Sequence, residues 1–144
     1  MSYVIDALYD LELLENQQSK STIKSCLRVL LVHMLKCKYQ PEYQDKKSWR
    51  NSIINSFEKI DDQFPKIGKG ALYRKFYLKE LDLNRIYQQA RIKASKETSK
   101  PLDVFPKTCE WTKEQLIDYT FINQFVDVYG IDKNYNPNQL EFKF

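Results

Sequence analysis

The sequence predicts an all-α fold: an up-and-down helical bundle of four main helices, a short fifth helix and an irregular C-terminal tail. Three observations predict it. Only three glycines occur in 144 residues, which leaves little material for tight hairpins. From Ile23 to Lys38 there is no Gly or Pro, and the apolar residues are too dense for strand alternation. From Trp49 through Ile53, Phe57 and Ile60 to Phe64 the apolar spacings are 4, 4, 3 and 4, the period of a helix with one greasy face.

The elements follow in order. Residues 1–18 place Val4, Ile5, Leu8, Leu11 and the pair Leu13/Leu14 at helical spacing, so a short amphipathic helix is expected, joined to the next by QQSKS. The central helix comes next. At 100° per residue Ile23, Cys26, Leu27, Leu30, Leu31, Met34 and Cys37 share a broad face, with Val29, Val32 and Leu35 opposite. A helix apolar on nearly every side needs neighbours on several sides, so this one belongs at the middle of the bundle. Ser19 or Ser21 is suited to cap its start, and Pro41 disfavours helix at Gln40. Ser48 opens the helix anchored by Trp49, and Pro65 is expected to close it. A long helix follows from Ala71 to about Thr98, with Leu72, Phe76, Leu83, Ile86, Tyr87, Ala90 and Ala94 as its stripe. Twenty-eight residues would run about 42 Å, so a kink or break near LDLN (81–84) is the alternative. Two prolines make 101–111 a surface loop. Thr112 with Gln115 forms a capping box for a short helix to Tyr119. Residues 1–119 are thus expected to form one domain, and 120–144 a C-terminal extension holding a short strand or helix at FINQFVDVYG.

Cysteine usage and hydropathy narrow the classes. Cys26 and Cys37 lie eleven residues apart, roughly 16 Å along a helix, too far to bridge. With a third cysteine, one histidine and no CxxC, the pattern favours reduced thiols in a reducing compartment and no metal or cofactor. No leader and no membrane-spanning run is visible, so the expectation is a soluble cytoplasmic protein.

Charge is segregated along the chain: −4 over residues 1–18, +11 over 19–100 and −3 over 101–144. The acidic ends can lie against the basic middle. Alternatively Lys46, Lys47, Arg50, Lys66, Lys69, Arg74, Lys75 and Lys79 converge at one end, with Tyr73 and Tyr77 nearby, as an anion-binding patch. Trp49 and Arg50 are the other binding candidates; a core anchor and an ion pair are the plainer roles for them.

Leu27-Arg28-Val29-Leu30-Leu31, His33-Met34-Leu35-Lys36, Tyr39-Gln40-Pro41, Ser48-Trp49-Arg50, and Phe105-Pro106 with Cys109 occur in that order. Over roughly residues 10–120 the chain thereby resembles the bacterial family called domain of unknown function twenty-nine, common in cyanobacteria and built of helices. Cys37 stands where that family usually has Trp, the family's N-terminal segment is expected to be missing, and a tail is added after about residue 120. The resemblance implies an all-helical fold and no activity.

His33 is the only imidazole in the chain. Its structural role would be a hydrogen bond to Glu12 or Glu15 of the first helix. Its functional role rests on spacing: Arg28-Val29-Leu30-Leu31-Val32-His33 is similar to the RΦxxxH pattern of HEPN ribonucleases. The similarity implies an Arg that binds the scissile phosphate and a His that moves protons at the ribose 2′-hydroxyl, with no metal required. Arg28 and His33 point about 140° apart on one helix, so a joint site is expected to need a second subunit. Two function classes stand side by side. The first is a non-enzymatic binding module for a protein or nucleic-acid partner, by analogy a toxin–antitoxin or immunity component. The second is a metal-independent ribonuclease using His33 and Arg28. The aromatic tail (Phe121, Phe125, Tyr129, Tyr135, Phe142, Phe144) is further expected to dock on a second copy as a homodimer contact.

Overall fold

The computed structural model describes residues 2–40, 47–67 and 77–130, with side chains over 17–40, 47–64 and 77–130. It is all-helical, as the sequence predicts. α1 spans Ser2–Tyr39 and α2 Lys47–Ile67. α3 is described over 77–80, and α4 runs Leu83–Thr98. A 3₁₀ turn at Leu102–Val104 precedes α5 (Lys113–Leu116) and α6 (Tyr119–Tyr129).

The first two expected helices are one. α1 is 38 residues long, about 57 Å, and runs through QQSKS without a break. No Gly or Pro lies between residues 2 and 40 to stop it, and Ser19 is buried within the helix instead of capping it. The central stretch sits where its composition requires. Ile23, Leu27, Leu30, Leu31, Met34 and Cys37 are buried, and Val32 and Leu35 on the opposite side are buried too. Val29 is the exception, 39% exposed. Ile53, Phe57, Ile60 and Phe64 of α2 are all buried in the same core. α2 extends two residues past Pro65, because a proline in a last turn forfeits a single backbone hydrogen bond.

The break near LDLN is real. Leu81 and Asp82 leave the helix, and the Asp82 carboxylate caps α4 by accepting from Arg85 N–H at 3.1 Å. Ile86, Tyr87, Ala90 and Ala94 form the buried stripe of α4. α4 ends on Ser99, whose left-handed backbone (φ 54°) lets its N–H return to the last turn. The Thr112–Gln115 capping box forms in both directions. FINQFVDVYG is helical, and Ile122, Phe125 and Val126 join the core.

α2 and α4 both pack on α1. Lys20 meets Glu80 at 3.3 Å, and Lys36 meets Glu97 at 2.7 Å. With Glu80 just ahead of α4 and Glu97 in its last turn, these two ion pairs set α1 and α4 running in the same direction. Loop 101–111 is fastened to α4 by Arg91, a charged residue on the buried side of its helix. Arg91 donates to the carbonyls of Phe105 (3.2 Å) and Leu102 (3.1 Å). Tyr87 donates to Pro106 O at 2.6 Å, and Phe105 is buried beside Tyr39 in an edge-on ring contact. Among the described residues, no helix is long and apolar enough to cross a membrane.

Candidate functional site

Where α1 and α4 lie side by side they leave a trench with two chambers. One, of about 330 Å³, has Ser25, Arg28, Val29, Val32 and His33 on the α1 wall and Gln89, Lys93 and Glu97 on the α4 wall. The other, about 350 Å³, adds Lys24 to Arg28 on α1 and is faced by Glu80, Asp82, Arg85, Ile86 and Gln89. Arg28 and Gln89 line both. The α4 wall follows from the helix period alone: Arg85, Gln89, Lys93 and Glu97 fall at successive i, i+4 positions and form a single polar stripe.

The cations in and beside this trench fall into two groups. Lys20, Lys36, Lys38 and Arg91 each have a carboxylate partner, Glu80, Glu97, Glu110 and Asp103. Lys24, Arg28, Arg85 and Lys93 have no carboxylate within ion-pair distance among the described residues. The interior of the trench is therefore positive. Its carboxylates stand towards the ends: Glu80 and Asp82 just ahead of α4, Glu97 in its last turn.

His33 is half-buried on one edge of the wall, and its Nδ1 is buried with no hydrogen-bond partner. Burial first, and then the Lys36 cation, push its pKa below the ordinary imidazole value; Glu97 pulls the other way and Lys93 adds to the lowering. The ring is thus held neutral near pH 7. Burial raises the Glu97 carboxyl, but the hydrogen bond and charge of Lys36, with Lys93 and His33, outweigh it and bring the group below its usual range. The expected partners of His33 are too far away. On one unbroken helix Glu15 lies eighteen residues, about 27 Å, from His33. Arg28 and His33 also need no second subunit to share a cavity. They occupy opposite edges of one wall, and α4 supplies the facing side.

Of the residues expected to form a basic end, Lys47, Arg50, Lys66 and Lys79 fall in described helices. Lys47 and Arg50 open α2, whereas Lys66 is in its last turn, about 28 Å further along the axis. Arg50 packs against Gly130 at the end of α6: a Cβ on that glycine would meet Arg50 Cβ at 3.4 Å. Trp49 is half-buried against the core, with the Lys36 ammonium 5.8 Å from its ring centroid. Lys46, Lys69, Arg74 and Lys75 lie outside the described residues, as do Tyr135, Phe142 and Phe144 of the tail. Of the tail aromatics that are described, Phe125 is buried, and Phe121 and Tyr129 are half-buried in the chain's own core. Lys24, Arg85, Gln89 and Lys93 escaped the sequence reading. The signal that marks them is the i, i+4 stripe on α4 facing Lys24 and Arg28 on α1.

The fold and trench define an all-helical protein with a cation-lined groove between two parallel helices. Its family is shown by sequence: the model described as Domain of unknown function DUF29 matches residues 5–122, and the chain belongs to that family. Comparison with curated proteins, and with solved structures, returns no match.

Proposed function

We propose that this protein is a binding module for a phosphodiester ligand of nucleic-acid chemistry, seated in the α1–α4 trench. One observation carries this reading: four cations, Lys24, Arg28, Arg85 and Lys93, face a single groove with no carboxylate in ion-pair distance among the described residues. A phosphate supplies the missing counter-charge. Arg28, half-buried at the middle, offers the planar donor fork that suits phosphate best. Gln89 opposite it adds a neutral donor and acceptor. The chain's +11 middle segment steers a polyanion towards this region.

The test is fluorescence anisotropy with a labelled single-stranded RNA, titrated at about 50 and 200 mM salt. Binding should weaken with salt by counterion release. Arg28→Ala should lower affinity about 10- to 100-fold, the worth of one charge-assisted phosphate contact. Salt-independent binding, or binding indifferent to Arg28, would remove the proposal.

A second reading, phosphodiester cleavage by His33 and Arg28, is favoured by one observation: both line the same chamber, and the imidazole is held neutral, the form a general base requires. Arg28 would hold the phosphate while His33 took a proton from the ribose 2′-hydroxyl. Purified protein that cleaves RNA equally well with His33 and with His33→Ala would dispose of it.

A further inference from the structure

Resting on the phosphodiester reading, we infer that the trench is built for a single dinucleotide step: one bridging phosphate at its centre and one nucleoside in each chamber. Three features of the groove point there. The two chambers are nearly equal, about 330 and 350 Å³, each at the lower end of the range for small-molecule sites. They meet at Arg28 and Gln89, so the strongest phosphate donor stands at the junction and not at a mouth. The order of charge along the trench is carboxylate, cations, carboxylate.

That order selects the ligand. A strand running through would carry further phosphates past Glu80 and Asp82 at one end and past Glu97 at the other. There Glu80 and Glu97 are already paired with Lys20 and Lys36, so neither of those cations is open to receive them. A dinucleotide step instead presents hydroxyl and amino groups at its two ends, which donate to carboxylates. The chamber walls are mixed to match. Val29 and Val32 in one, and Ile86 in the other, offer apolar surface to a base or sugar. His33 also lines the first chamber. A duplex does not fit this geometry. Its bases are held paired and stacked, so none can enter a chamber alone, and its phosphates would reach only the rim.

Length dependence tests the inference. Unlabelled RNAs of one, two, four, eight and twenty nucleotides, and a twenty-base-pair duplex, would compete against a labelled dinucleotide bound to the full chain. The expected result is a rise of about tenfold or more from one to two nucleotides, followed by a plateau, with the duplex weaker than the single strands. Neutralising the mouths with Glu80→Gln and Glu97→Gln, with helicity checked by circular dichroism, should replace the plateau by affinity that climbs with length. Affinity that climbs steadily to twenty nucleotides in the unmodified protein, or a duplex that competes as well as single strands, overturns the dinucleotide inference and leaves the phosphodiester reading standing. A failure of every RNA to bind removes both.

Discussion

On one side of α1, Ile23 and Leu27 line, with Ile60 and Phe64 of α2, a pocket in their seam with room for only about 10 Å³ of water. On the side facing α4, the same helix leaves two chambers of about 330 and 350 Å³. The first seam is lined by apolar side chains that fill it, and the protein gains stability by excluding water there. The second is held apart by long polar side chains whose charged ends stay in water. A single helix therefore divides its duties by flank: one surface makes the fold cohere, the other keeps charge available to a ligand.

The sharpest way to break this division is to cut into the dry seam. Leu27→Ala should cost about 2–5 kcal/mol in urea unfolding, because a seam with so little free space cannot relax around the lost methyl groups. Lys93→Ala, on the wet flank, should stay within about 0.5 kcal/mol of the parent. Equal costs for the two would abolish the distinction.

Arg91 is the next test, since it carries charge into the apolar side of α4. Arg91→Met should cost about 1–3 kcal/mol, because the carbonyls of Phe105 and Leu102 lose their donor. It should also expose loop 101–111 to limited proteolysis. A resistant loop in that variant would mean that Tyr87 and Phe105 alone hold it.

The smallest effect concerns His33, which lies between the two regimes. Its folded pKa is depressed below the ordinary 6.5 by burial and by Lys36 and Lys93. The unfolded chain therefore takes up the proton more readily. The stabilisation is complete above about 6.5 and is lost as pH falls through the folded value. Between pH 7 and 5, urea midpoints should fall with a slope under about 1.4 kcal/mol per pH unit, the limit for one proton. His33→Gln should flatten that slope. A variant as acid-sensitive as the parent would place the titration elsewhere.

Much of the dry flank is legible in the sequence. The spacing of Ile53, Phe57, Ile60 and Phe64 names a helix face, and the density of apolar residues from Ile23 to Cys37 names a buried helix, because burial follows a local period. The Thr112–Gln115 box is legible for the same reason: both partners lie within one turn. The wet flank is harder. Arg28 and His33 can be picked out, but their cavity needs α4, whose Gln89 and Lys93 lie about sixty residues away. Arg91 reads as a surface arginine until the loop carbonyls it meets are in place. The expected break at QQSKS fails because capping residues permit a helix to start without obliging one to stop.

By itself the sequence determined that the chain would be helical and which stretch would lie at its centre, and it offered a break near LDLN as the alternative to one long helix. Only the tertiary structure decided which cations are neutralised and which are left open. Periodicity is a property of neighbours along the chain, whereas an ion pair forms only when a carboxylate from a distant segment comes within a few ångströms. Glu80, Glu97, Glu110 and Asp103 do so for Lys20, Lys36, Lys38 and Arg91. None does so, among the described residues, for Lys24, Arg28, Arg85 and Lys93.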